Sequence, residues 1–236
     1  MTAPTNTDTL RHALQAPLPL QPGPLMGPAF AQAGEAGRFA IYTEPPEAPG
    51  RDEVLAALRV QLEAQPGGDE AVRGEVLDSD DWEPGQAFEM DMDSDDVCGQ
   101  VLFYRLILAR ELDPVGYCAF EINADETGVV FVTLVESWIR APYRQLGLER
   151  GFVLQMADAV YAVLAELDVR LHAAGQAGAS FEVLLGLDEP SSAGSSLLQS
   201  LAETLQGLTG TPDRASAAGL DPLRITSANV SVLAAN

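Results

Sequence analysis

Trp138-Ile139-Arg140-Ala141-Pro142-Tyr143-Arg144-Gln145-Leu146-Gly147-Leu148-Glu149 follows an unbroken apolar run over residues 129–135. It opens a segment in which Leu148, Phe152, Met156, Ala159, Val163 and Leu167 recur every three or four residues. The hydrophobic period changes from that of a buried strand to that of a helix, so the stretch predicts a strand, a turn carrying Pro142 and Gly147, and an amphipathic helix running to about residue 170. A helix start offers several N–H donors together with the positive end of the peptide dipole. The ligand that such a turn is built to face is an anion, and Gly147 lets the backbone approach it closely.

Working outward, the runs 100–109, 114–122 and 128–137 are joined by Arg110-Glu111-Leu112-Asp113 and Asn123-Ala124-Asp125-Glu126-Thr127, connectors of hairpin length and chemistry. They predict an antiparallel meander whose most buried member is 129–135. Downstream, 180–187 reads as a strand, 195–208 as a helix with Leu197, Leu198, Leu201 and Leu205 apolar, and 223–233 as a last strand. Upstream, 38–43 is a short strand closed by Pro45-Pro46. A helix capped by Asp52 follows, with Val54, Leu55, Leu58 and Leu62 on one face and Pro66-Gly67-Gly68 as its stop. Residues 1–36, with Pro4, Pro17, Pro19, Pro22, Pro24 and Pro28, predict a flexible or loosely packed Pro-rich arm. Residues 37–236 then form one α/β domain, interrupted by an acidic loop at about 75–96.

The segment from Trp138 resembles the acyl-CoA pyrophosphate loop of the GNAT family of N-acetyltransferases: an aromatic, an apolar residue, a Pro and a Tyr-Arg pair lead into a glycine-bearing turn and a helix. The order strand, strand, strand, helix, strand, helix, strand after residue 100 is similar to that family's core. The resemblance implies a mixed, mostly antiparallel sheet of six or seven strands with helices on both faces, and acetyl-CoA as co-substrate. It assigns the diphosphate to Arg144 and to the amides of Gln145, Leu146, Gly147, Leu148 and Glu149. It lays the pantetheine arm against the main chain of 132–135, Val135 included, and of 181–185. Glu136, near the end of the strand, is the candidate general base; an outward carboxylate at a strand end is the plainer reading of the same residue.

Two features depart from the family pattern. Glu149 stands where the family has a small residue, and at about 5 Å from a phosphate charge with an effective dielectric near 20 the repulsion is about 3 kcal/mol. Turned back onto the helix start, the same carboxylate would fill the anion site itself. The helix over 195–208 also lacks the Tyr that many members use as an acid. The resemblance therefore implies an N-acyltransferase moving an acetyl group from acetyl-CoA to a small amine or a protein amino group. The departures imply its alternative, a catalytically degenerate GNAT-fold binding or regulatory protein without CoA turnover.

Composition narrows the classes. The formal charge is −22, and the 13 basic residues are all Arg. A surface this acidic repels nucleic acid and anionic membranes, whose binding rests on neutralised phosphates. It suits a cationic substrate or a basic protein partner, a third reading independent of CoA. No run of about 18 apolar residues occurs, and the first residues lack a basic stretch followed by an apolar one, so a cytoplasmic protein is expected. Oligomeric state stays open, a homodimer included.

Cys98 and Cys118 read as buried thiols within strands, and His12 and His172 stand far apart without Cys neighbours, so no zinc site is expected. Asp91-x-Asp93-x-Asp95 begins like a calcium loop, but Asp96 and Leu102 occupy the Gly and Glu positions. Most of the acidic run reads as solvated loop, with the acceptor side of a site as its functional alternative and Trp82 as a loop anchor. Ser191 to Ser196 reads as a helix-capping loop, since no Gly-x-Ser-x-Gly elbow is present. Trp138 is expected to pack under the turn.

Overall fold

The computed structural model describes residues 6–18, 39–44, 51–63, 87–89, 99–176, 180–188, 191–209 and 227–232. The central strands are β3 (Gly99–Arg110), β4 (Asp113–Asp125) and β5 (Val129–Ile139), and they pair antiparallel as the meander predicted. Glu111 turns the first hairpin with φ +60°, and Gly128 closes the second with φ +86°. On the far side of β3 lie two short antiparallel strands, β1 (Phe39–Glu44) and β2 (Ala87–Glu89). Beyond β5, β6 (Ser180–Leu187) and β7 (Ser227–Val232) are added parallel. The sheet is thus mixed and mostly antiparallel, with seven strands ordered β1-β3-β4-β5-β6-β7 and β2 alongside β3.

Four helices complete the described residues: α1 (Thr7–Leu14), α2 (Arg51–Glu63), α3 (Glu149–Ala173) and α4 (Ser192–Thr209). The two parallel crossovers leave α3 and α4 on one face, where Phe152, Met156, Val160, Leu164, Leu198 and Leu201 pack on Val130, Val132 and Leu134. This is where right-handed connections between strands added in one direction put their helices. The other face is covered by α2, whose Leu55, Leu58 and Leu62 meet Phe103, Ile107, Tyr117 and Ala119. Helices therefore lie on both faces. Among the described residues no helix is long and apolar enough to cross a membrane.

Two expectations need correction. Part of the N-terminal arm is ordered: Asn6 caps α1 by accepting from the Asp8 amide at 3.0 Å, and Leu10, Ala13, Leu14 and Leu18 enter the core. The Gln100 side chain accepts from the Leu18 amide and donates to the Ala16 carbonyl, while Arg170 donates to the Ala13 and Pro17 carbonyls, so buried polar groups tie this segment down. The prolines hid about two turns of amphipathic helix lying between Pro4 and Pro17. Secondly, β3 and not β5 is the most buried strand, because α2 covers β3 and β4 but leaves one face of β5 half-exposed. Within the acidic stretch, Ala87–Glu89 form a short strand on β3. Residues 19–36, Trp82, Cys98 and the Asp91 to Asp96 run lie outside the described residues. Cys118 is a buried free thiol whose ionisation burial pushes well up.

Candidate functional site

The site begins with a break in the alternation of β5. Phe120 pairs with Leu134 and Ala119 pairs with Glu136, so Val135 is an extra residue, a β-bulge. Before the bulge the even-numbered residues of β5 face α3 and α4; after it Ser137 and Ile139 take that face, because they pair with Cys118 and Gly116. Glu136 and Trp138 are switched to the α2 face, where Trp138 packs with Tyr117. Trp138 thus lies on the opposite side from the position expected beneath the turn, and the one-residue shift of parity is the reason.

The bulge coincides with a parting of strands. β5 pairs with β6 from Val129 to Leu134 only, and the last link is the Asp188 amide donating to the Leu134 carbonyl at 3.1 Å. From Val135 to Ile139, β5 keeps its β4 partner and has no strand on the other edge among the described residues. Gly194 in the first turn of α4 lets the helix come in against this point: a Cβ there would lie 2.7 Å from a Leu187 methyl and 3.4 Å from one of Leu134. Ser191 caps that helix, its hydroxyl accepting from the Gly194 amide at 3.1 Å, as the capping reading of the serine cluster expects.

Past β5 the chain turns through a single 3-10 turn, Ala141–Tyr143, into α3. Tyr143 packs edge-on to Phe39 with ring centroids 5.8 Å apart, which fastens the turn to the core. Gln145 (φ +74°) and Gly147 (φ +69°) are both left-handed, and Leu148 returns to helical angles. A left-handed residue followed by a helical one turns successive amides toward one concavity. The N–H groups of Gln145, Gly147, Leu148 and Glu149 donate none of the main-chain hydrogen bonds of this turn among the described residues, while the Gly147 and Leu148 carbonyls accept from Arg150 and Gly151. Leu148 is buried and Leu146 partly so, which pins the turn from beneath. The left-handed Gln145 is a strained position for a side-chain-bearing residue.

In front of the turn lies a cleft of about 1140 Å³. Its floor is Ser137 to Ile139 with Phe152 and Val153, its near wall is Arg144, Gln145, Gly147, Glu149 and Arg150, and its far wall is the polar stripe Ser196, Ser200, Glu203 and Thr204 of α4. The Nε of Arg144 donates to the Ile139 carbonyl at 2.6 Å and so places the guanidinium over the end of β5. The structure therefore brings Arg144, Gln145, Gly147 and Glu149 together on one cavity, with Leu146 and Leu148 as buried supports. Val135 and Glu136 sit at the bulge beside it, Glu136 on the opposite face of the sheet.

That opposite face holds groups the sequence reading passed over. Register places Glu44, Arg105, Ala119 and Glu136 in one row across β1, β3, β4 and β5. Arg105 Nε stands 3.2 Å from Glu44 Oε2, close enough to pair charges but without hydrogen-bond geometry. Burial raises the Glu44 pKa against the opposing pull of Arg105 and Arg59. Tyr117, 1% exposed, has a hydroxyl without a hydrogen-bond partner among the described residues, and its ionisation is pushed up by burial. Parity across two hairpins was the signal that could have revealed this row. Single-strand patterns do not show it.

No protein-family model matches the chain, and no curated protein matches it. Among solved structures, an aminoglycoside acetyltransferase from an uncultured soil metagenomic sample, in complex with sisomicin, aligns with 71% of this chain and 87% of its own at 9% identity and a TM-score of 0.27. Overlap that low leaves the chemistry to be argued from this chain's own geometry.

Proposed function

We propose that the chain is an N-acyltransferase that takes an acetyl group from acetyl-CoA to an amine. The parting of β5 from β6 at the Val135 bulge, directly in front of the left-handed turn that opens α3, is the observation that supports this reading most. An extended arm with amide groups fits against an unpaired strand edge, and a diphosphate fits against clustered amides at a helix start. Arg144 and the amides from Gln145 to Glu149 would hold the diphosphate, and the edge of β5 after Leu134, unpaired among the described residues, would hold the pantetheine.

Glu136 stands on the far face of the same strand, next to the gap through which a thioester would meet an amine. In that role it takes the proton of the incoming ammonium. The free amine attacks the thioester carbonyl, so the C–N bond forms as the C–S bond breaks, and the second proton shed by the nitrogen as it becomes an amide passes through solvent to the leaving thiolate. Titration calorimetry with acetyl-CoA and CoA tests the proposal: a one-to-one isotherm supports it, and absence of heat at millimolar ligand removes it.

Glu149, lining the cleft on the diphosphate side, favours a second reading in which the fold has lost its ligand. On that reading the native chain shows no CoA binding and Glu149→Gly acquires it.

A further inference from the structure

The cleft ends where β5 and β6 part, and the packing at that end bears on the acyl group. On β5 the lining of the cleft starts at Ser137, and on α4 it starts at Ala193. Behind them the two strands are joined: Leu134 pairs with Leu187, and the Asp188 amide donates to the Leu134 carbonyl at 3.1 Å. Paired residues of neighbouring strands point to one face, here the face under α4. Leu134 is 2% exposed there, and Leu187 is partly buried against the same core. The helix leaves the two leucines no slack. A Cβ on the buried Gly194 would stand 2.7 Å from a Leu187 methyl, 2.8 Å from the Ser191 hydroxyl and 3.4 Å from a Leu134 methyl, so the backbone of α4 already lies against them. Not even one more methyl group fits at this spot without a shift.

We propose that Leu187, held in place by Gly194, is the stop that sets the length of the donor's acyl group: an acetyl group is accepted, and a butyryl or longer straight chain is not. The proposal rests on the acyl-transfer reading for the path of the thioester. With the diphosphate at the turn and the pantetheine along the edge of β5, the acyl group is carried toward the closed end of the cleft and meets Leu134 and Leu187. On the opposite face α2 packs on Tyr117 and Ala119, and the gap left beside Glu136 is the way in for the amine, so a long chain lodged there would block the acceptor. The stop is a side chain and can therefore be moved. Leu187→Ala removes three carbons at the end of the cleft, room for the two that butyryl has beyond acetyl. Gly194→Ala acts in the other direction, because its Cβ would drive the Leu187 methyl toward the gap.

Calorimetry of the full chain with CoA, acetyl-CoA and butyryl-CoA tests this. The native chain is expected to bind CoA and acetyl-CoA within about threefold of each other, and butyryl-CoA at least about tenfold more weakly than acetyl-CoA. Leu187→Ala is expected to keep its affinity for CoA and to bind butyryl-CoA at least as tightly as acetyl-CoA, since an apolar cavity takes up an apolar group of matching size. Gly194→Ala is expected to weaken acetyl-CoA several-fold and to spare CoA, which carries no acyl group and so reports that the fold is intact. Butyryl-CoA bound by the native chain as tightly as acetyl-CoA overturns the proposal without any variant. A Leu187→Ala chain that binds CoA normally and still rejects butyryl-CoA overturns it too, as does a Gly194→Ala effect equal for CoA and acetyl-CoA. Binding of all three ligands without discrimination sinks this inference alone; failure of all three to bind removes the acyl-transfer reading and this inference with it.

Discussion

Glu149→Gln removes a charge while keeping the shape of a residue that stands at the first position of α3 and lines the cleft. At about 5 Å from a diphosphate charge, Coulomb's law gives about 3 kcal/mol of repulsion at an effective dielectric of 20 and about 0.8 kcal/mol in bulk water. Glu149 is exposed, and a Debye length of about 8 Å roughly halves either figure. CoA should therefore bind the variant about 2- to 20-fold tighter. Folding should move the other way: the carboxylate complements the helix dipole, and its loss costs about 0.3–1 kcal/mol. Calorimetry with CoA at low and high salt, alongside urea denaturation, reads both signs. Pantetheine, which has no phosphate, is the control and should not change. An equal gain for pantetheine, or no gain for CoA, would refute the placement of the diphosphate at this turn.

Gln145→Gly should stabilise the chain by up to about 1 kcal/mol in denaturant titrations, since a left-handed non-glycine residue costs about 1–2 kcal/mol and glycine gives back part of it as chain entropy; a clear loss would mean that the Gln145 side chain holds the turn. Arg105→Met leaves the buried Glu44 carboxylate without the cation 3.2 Å away and should cost about 3–5 kcal/mol. Adding Glu44→Gln should recover part of this, and a double variant no better than the single one would show that the pair is not coupled. Glu44, Glu121 and Asp158 all have pKa values raised by burial above their ordinary range. An acid whose folded pKa is raised contributes stability below its unfolded pKa that is lost as pH rises through the folded value. The melting temperature should therefore fall as pH rises from the ordinary glutamate value of 4.5 toward neutrality, and Glu121→Gln should flatten that fall; an unchanged slope would mean that Glu121 is not desolvated in solution.

The meander, α3 and β6 were legible because each rests on local pattern. Alternation or continuous apolar runs gave the strands, and the switch of period at Trp138 gave the helix start, so their bounds shifted by a few residues at most. What pattern could not give was the burial of one strand relative to another, which depends on where α2 lies. Continuous Val, Phe and Leu in β5 and in β3 look alike, yet only β3 is covered on both sides. α1 was hidden for a different reason: its anchors, Gln100 and Arg170, lie far along the chain, so nothing near the prolines records them.

The candidate site divides in the same way. The turn from Arg144 to Glu149 announced itself because the chemistry of a helix start is written in consecutive residues. The charged row on the opposite face did not, because Glu44, Arg105 and Glu136 come from three different strands and Glu136 joins them only through the Val135 bulge. Were the pairing regular, with Val135 opposite Ala119, Glu136 would take the parity of Leu134 and point into the apolar layer under α3 and α4, where an uncompensated carboxylate is costly. With the bulge, one strand turns Ser137 and Ile139 toward the cleft and Glu136 toward the opposite face. Deleting Val135 should leave Glu136 opposite Ala119 and on the same face, because only the unpaired residue is lost. It should straighten β5 at the point where it parts from β6 and so weaken CoA binding, whereas Glu136→Gln should spare CoA. A Val135 deletion that folds and binds CoA as well as the native chain would show that the bulge does not hold the strands apart.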